Sequence, residues 1–205
     1  MKRSLAIVPI VEGHAEEAAV PILLRRIGIE LFDNTFIMVG RPIRIPRGQL
    51  VKYSTGKLAS ALNLAQLKLT QMSGDYHKRA AVVLIDADDD LACQLGPGML
   101  AEARQVRGDL ESRVILPTPE FETWFVASAD DPRMSVHLNV DPSEVAFKDA
   151  EANRLRKKWI EQRFVGKYSE TVDQPKLTSV LNLPLLRQRA PSFDKLCRDI
   201  ESLLQ

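Results

Sequence analysis

Residues 80–90 read Ala80-Ala81-Val82-Val83-Leu84-Ile85-Asp86-Ala87-Asp88-Asp89-Asp90: six apolar residues running directly into four carboxylates. A continuous apolar run of this length, rich in branched side chains, is the pattern of a strand buried on both faces. The carboxylates begin where the burial ends. In an open parallel sheet the carboxyl ends of the strands border the crevice in which ligands bind. The function of the chain then turns on whether other strands bring acids to the same edge.

Upstream, Ser4–Val11 is a first apolar run, ending at Glu12-Gly13. Pro9 is awkward inside it because proline has no N–H for a ladder. Val20, Leu23, Leu24, Ile27 and Leu31 recur at helical spacing and predict a helix over residues 15–31, with Pro21 as a potential kink. Thr35–Val39 is a second strand, which residues 41–47 extend until Pro46 stops it. Leu58, Leu62, Ala65 and Leu69 predict a helix over residues 51–69, followed by a polar connector to the opening run. Gly96-Pro97-Gly98 is expected to break the chain before a short helix at residues 99–110. Arg113–Pro117 is the fourth strand, and a helix starts near Glu122. Residues 130–150 read as loop, with turns started at Asp131-Pro132 and Asp141-Pro142. A basic helix at residues 151–164 carries Arg154, Arg156, Lys157, Lys158 and Arg163. The last thirty or so residues are helical with interruptions at Pro184 and Pro191. Ser192 is the expected cap of a final helix whose apolar face is Phe193, Leu196, Ile200 and Leu203 or Leu204. Strands alternating with helices predict an α/β fold with a four-stranded, mostly parallel sheet flanked by helices. The expected division is an α/β domain at residues 1–128 and a mostly helical extension packed on it at residues 129–205.

With parallel strands, Glu12, Asp86, Asp88, Glu120 and Glu122 all arrive at one edge. Asp86 and Asp88 are two apart and point the same way in extended backbone. Clustered acids persist by taking protons or binding cations. Mg²⁺ suits such a place, since it takes one or two carboxylates plus waters and phosphates. Four of these acids fit one ion or two. An EF-hand is excluded, because Leu91 and Pro97 stand where that loop needs Gly and Glu. Asp89 and Asp90 fit a solvated turn or a cap.

The 205 residues carry a net charge of +1, unevenly spread: residues 86–150 balance to −9 and the remainder to +10. Such segregation fits a metal-holding segment flanked by basic surface for a polyanion, or ordinary surface variation. Cys93 and Cys197 have no metal-ligand spacing and are expected to be reduced thiols. The short apolar start lacks a cleavage site, and no run reaches the roughly 18 residues of a membrane helix, so a cytoplasmic protein without membrane association is expected.

Val11-Glu12-Gly13-His14-Ala15-Glu16 resembles the Val-Glu-Gly-x-Thr-Glu signature of TOPRIM-like proteins, and Leu84-Ile85-Asp86-Ala87-Asp88 resembles their Asp-x-Asp motif. Glu120-Phe121-Glu122-Thr123-Trp124-Phe125 and Asp173-Gln174-Pro175-Lys176 resemble a bacterial family of unknown function that is distantly TOPRIM-like and similar in this respect to overcoming-lysogenization-defect nucleases. The resemblance implies general acid/base work or metal binding for Glu12, and Mg²⁺ or Mn²⁺ held by Asp86 and Asp88. By position it makes Glu122 the further acid and Lys176 the catalytic lysine. Ala15 departs from the signature's Thr. There is no nucleophilic-tyrosine domain and no zinc module, so topoisomerase and primase activities are not implied. The implied function is a metal-dependent nuclease in DNA processing or phage defence. Two rivals stand beside it. One is a nucleic-acid- or partner-binding subunit that acts with an ATPase, since the chain has no phosphate loop of its own. The other is a small-molecule phosphatase, whose Asp-x-Asp normally ends the first strand. His14 is either an exposed turn residue or a contact to phosphate, Lys176 is otherwise an exposed lysine, and Trp124 and Phe125 are expected to pack the core.

Overall fold

The computed structural model describes residues 4–152 and 157–205. β1 (Ser4–Val11) leads through Glu12 and Gly13 into α1 (His14–Leu31), which continues through Pro21. β2 (Phe36–Val39), β3 (Ile43–Arg44), α2 (Arg47–Leu50), a 3-10 turn (Tyr53–Thr55) and α3 (Lys57–Gln71) follow. β4 (Lys78–Leu84), α4 (Ala92–Val106), β5 (Glu111–Ile115) and α5 (Glu122–Ala127) complete the alternation. Beyond them come α6 (Pro132–Ser135), a 3-10 turn (Pro142–Glu144), α7 (Lys157–Arg163), α8 (Glu170–Val180), α9 (Leu183–Arg189) and α10 (Pro191–Leu204).

The sheet runs β2-β1-β4-β5, with β3 pairing β1 beyond the end of β2, and every pairing is parallel. The sequence therefore predicts the parallel α/β class, but the strands number five rather than four. After Gly40 the chain leaves the ladder, and β3 rejoins β1 as a separate strand with Val11 opposite Arg44. This break also accommodates Pro9. Ile7 O accepts from Gly40 N and Val11 O from Ile45 N, so by the two-residue period Pro9 faces the same side, at the interruption. Its missing N–H falls where no ladder bond is due.

Three other expectations are corrected. The second helix begins at Lys57, not Val51, because Gly56 sits at φ +60°, outside helical backbone. Gly96-Pro97-Gly98 lies inside α4 instead of breaking it. Gly96, Met99 and Ala103 bury one face of that helix, and this burial offsets the hydrogen bond that Pro97 cannot donate. Ser192 does not cap α10; Ala190 holds that position. The Ser192 hydroxyl instead accepts from Trp124 Nε1 at 2.9 Å and donates to Glu151 Oε1 at 2.5 Å. Of the predicted basic helix, α7 begins at Lys157, and Arg154 and Arg156 lie outside the described residues.

Alternate residues of β1 serve two cores. Leu5, Ile7 and Val11 pack with α1, α5 and the carboxyl-terminal helices, whereas Ala6, Val8 and Ile10 pack with α3 and α4. Both faces being covered is why the strands read as unbroken apolar runs. Leu177, Leu183, Phe193, Leu196 and Ile200 join the first core, so α8, α9 and α10 share it with the sheet. Trp124 and Phe125 are fully buried there, as expected. The outer edge of β5 is closed in part by Lys195, which donates to Val114 O at 3.0 Å. None of the helices of the described residues is long and apolar enough to cross a membrane.

One packing contact makes a sharp test. A Cβ on Gly28 of α1 would lie 2.3 Å from Thr35 O and 2.9 Å from Ile37 Cγ1. Gly28→Ala is expected to destabilise the fold by about 2 kcal/mol in urea unfolding, because overpacking outweighs the gain of about 1 kcal/mol in helix propensity. A stabilised variant would show that α1 can lift off β2 freely.

Candidate active site

Strand order reverses between β1 and β4: the chain leaves β1 toward β2 and β3 on one side and returns to its other side with β4. The carboxyl ends of these two neighbours flank the switch-point crevice, where parallel sheets bind ligands. Val11 is opposite Leu84 in the register, which puts Glu12 and Asp86 side by side. Glu12 Oε1 accepts the Asp86 N–H at 2.6 Å. Asp86 Oδ1 in turn accepts the Phe121 N–H at 2.8 Å, from the segment after β5. Three segments remote in sequence are thus tied at one point.

Past Asp86 the backbone is pinned from both sides. Ala87 N donates to Pro117 O at 2.9 Å and Asp88 N to Pro119 O at 2.8 Å. Asp88 sits at φ 53°, a left-handed conformation that aspartate tolerates better than most residues. From the other side Arg47 reaches in. Its guanidinium donates to Asp86 O and Ala87 O, both at 2.8 Å, and to Asp90 Oδ2 at 2.5 Å. It also lies 3.2 Å from Asp88 Oδ2. Asp88 therefore turns toward Arg47, and Asp90 has an anchoring role rather than a free, solvated one. Sequence reading missed Arg47: its partners are about forty positions away, and nothing local distinguishes it from Arg41 or Arg44.

Glu122 opens α5 and is 4% exposed. It accepts from the Tyr168 hydroxyl at 3.2 Å. Glu16, in the first turn of α1, receives Gln174 Nε2 of α8 at 3.0 Å. The Glu16 carboxylate folds back over Gly13, where a Cβ would stand 2.2 Å from Oε2 and would displace it. Asp86, Glu120, Glu122, Lys157, Lys158 and Glu170 line a cleft of about 360 Å³ beside these acids.

The acids are electrostatically expensive. Burial pushes the Glu12 carboxyl up to about 7, with the neighbouring Glu16 and Asp88 adding to the effect against the Asp86 N–H. Burial likewise raises Asp86 well above the usual range, reinforced by Glu12, Glu122 and Glu16. Glu122 is raised to about 7 by burial and then by Glu170 and Glu16. An unfolded glutamate titrates near 4.5. Between pH 4.5 and about 7 the unfolded chain has lost protons that the folded chain keeps, so stability falls as pH rises through that window. In EDTA, the calorimetric Tm is expected to drop by roughly 5–15 °C from about pH 5 to pH 8, taking about 3 kcal/mol for each fully shifted glutamate and allowing for their coupling. A flat or rising profile would contradict this placement of the acids.

Other sequence candidates sit as follows. Lys176 is bound to Asp173 at 3.1 Å and its side chain is 62% exposed; from α8, Gln174 reaches Glu16 and Glu170 lines the cleft. His14 is exposed and pairs with Glu17 at 2.9 Å. Glu120 accepts the Lys157 N–H at 2.9 Å.

The residues present suit a hard divalent cation by donor type rather than by a ready-made cage. Among the described residues no three His, Cys, Asp or Glu side chains form a complete ligand group. Mg²⁺ does not require one, because one or two carboxylates with waters and phosphate suffice. The buried Gln174 Oε1 finds no donor among the described residues, while its Nε2 donates to Glu16. Glu12 and Asp86 are joined through the Asp86 N–H, and Asp88 and Glu122 act electrostatically on Glu12 and Asp86 respectively.

The family model described as "Domain of unknown function (DUF4276)" matches residues 11–201. The chain belongs to this family. The DUF4276 match starts one residue before Glu12 and takes in Asp86, Asp88, Glu122 and Lys176, so the resemblance to a bacterial family of unknown function is borne out. Among solved structures the chain is similar to the C-terminal region of the Burkholderia pseudomallei OLD protein, at 15% identity and a TM-score of 0.42, with 100% of each chain covered. No curated protein matches.

Proposed function

We propose that this chain is a TOPRIM-like phosphodiester hydrolase acting on nucleic acid, with Mg²⁺ or Mn²⁺ as its cofactor. The observation that supports it most is the direct contact of Glu12 and Asp86 at the ends of adjacent parallel strands, in a cluster that holds more negative charge than burial allows. Of Glu12, Asp86, Asp88 and Glu122, one or two would hold the cation directly and the others through its waters. Bound there, it supplies positive charge to neutralise the acids and polarise a phosphodiester. Glu12, at the strand end beside Asp86, is the carboxylate to accept a proton from the attacking water. The Phe121 N–H and Arg47 fix the orientation of Asp86. Lys158 lines the cleft and would offset charge on the phosphate, whereas Lys157 is paired with Glu170 and Lys176 with Asp173.

The test is cleavage of plasmid and oligonucleotide with Mg²⁺ or Mn²⁺, against an EDTA control and a phosphate monoester. Diester cleavage that needs the cation is expected, with Glu12→Gln lowering it by about 100-fold or more. Cleavage indifferent to Glu12→Gln would contradict the assignment. Hydrolysis of the monoester alone would favour the small-molecule phosphatase. A silent protein that still binds the cation would favour a subunit whose chemistry waits on an ATPase partner.

A further inference from the structure

Around β3, which pairs β1 on the edge away from β4, lies an open groove of about 620 Å³. His14, Glu17, Arg41, Arg44, Leu64 and Lys68 contribute to its walls. Arg41 and Arg44 are exposed. Lys68 donates to Arg41 O at 3.0 Å, which brings a third cation from α3 beside them. Its ammonium is held below the usual range by burial and by the Arg41 charge. Among the described residues Glu17 is the one carboxylate lining the groove; it pairs with His14 and lies 3.7 Å from Arg44. Three cations against one acid leave this groove positive, whereas the acidic cleft is crowded with carboxylates.

Its position is set by the sheet. Arg44 is opposite Val11, so it stands one strand spacing, about 4.8 Å, from the strand that ends in Glu12. The stretch Arg41-Pro42-Ile43-Arg44-Ile45-Pro46-Arg47 spaces its arginines every third residue. Arg47 grips the Asp86–Asp90 backbone, while Arg44 and Arg41 lead away from it along the groove. Arg41 and Arg44 stand three residues, at most about 10 Å, apart along the chain, with Lys68 beside Arg41. That arrangement fits successive phosphates of a chain better than a single anion, with the apolar Pro42, Ile43 and Leu64 between them to meet sugars or bases.

We propose that the groove of Arg41, Arg44 and Lys68 is a sequence-independent binding track for the phosphate backbone of a nucleic-acid strand, which it delivers past Glu12 to the acidic cleft. This rests on the reading of the cleft as a phosphodiesterase site, and its test is independent of cleavage. Fluorescein-labelled oligonucleotides are titrated in EDTA, and anisotropy is followed between about 50 and 200 mM KCl. The triple variant Arg41→Gln/Arg44→Gln/Lys68→Gln is expected to weaken binding by at least about tenfold at low salt and to flatten the salt slope by roughly 2. Arg41→Glu alone, at an exposed position that the fold does not need, is expected to give part of the same loss. Thermal melts of both variants exclude misfolding as the cause. Unchanged affinity and slope, or a wild type that binds no oligonucleotide at low salt, would overturn the proposal. Groove-dependent binding without any cleavage would overturn the hydrolase reading and leave the track standing. Asp86-dependent cleavage with binding indifferent to these cations would do the reverse.

Discussion

Asp86→Asn is expected to reduce cation-dependent cleavage by about 1000-fold, equivalent to about 4 kcal/mol of activation free energy, while making the cation-free protein more stable. The two effects have one cause. Asp86 is buried among Glu12, Glu122 and Glu16, and its charged form is held there at a cost. Asparagine keeps an oxygen for the Phe121 N–H that Oδ1 now accepts, but it removes the charge. The gain in Tm, read in EDTA near neutral pH, should fade below about pH 4, where the unfolded aspartate is protonated too. A residue with only a packing role would not give up activity while gaining stability. Loss of both together would mark Asp86 as structural.

Arg47→Ala is expected to be the most damaging change outside the acids. The guanidinium satisfies two backbone carbonyls and a carboxylate of the Asp86–Asp90 segment while being largely buried. Hydrogen bonds from a charged donor contribute about 1.5–3 kcal/mol each, and water replaces part of what is lost. A destabilisation of about 3 kcal/mol follows, or roughly 6–12 °C in Tm. Cleavage should fall well beyond what the stability loss explains, because Asp86 and Asp88 lose the support that orients them. Arg47→Lys keeps the charge but not the planar fork that spans Asp86 O and Ala87 O. Less than half of the stability should return. Full rescue by lysine would show that charge alone, not the fork, secures the loop.

What could be read from the sequence was what local pattern encodes. The run ending in Asp86 is a buried strand because both its faces meet helices, and burial on both faces writes itself as unbroken apolar residues. Glu12 and Asp86 were legible as partners because parallel strands must end at one edge. Arg47 was not, since its role depends on a contact across about forty residues that no periodicity records. Glu16 reads as a first-turn carboxylate favoured by the helix dipole; its place among the site acids emerges only when Gln174 of α8 is brought to it. Gly96-Pro97-Gly98 misleads in the opposite direction. Locally it is a breaker, yet burial of Gly96, Met99 and Ala103 carries the helix through it. Lys176 matched a motif by position, but the helix that carries it turns its neighbour Gln174 toward the acids.

The most direct test of the site is anomalous diffraction from crystals of the protein soaked in Mn²⁺ near neutral pH, collected for wild type and Asp86→Asn. The expected result is a peak bonded to the Asp86 carboxylate and shared with Glu12 in the wild type, absent in the variant. A peak held by other residues, or none at saturating Mn²⁺, would contradict a metal-dependent site at the ends of β1 and β4.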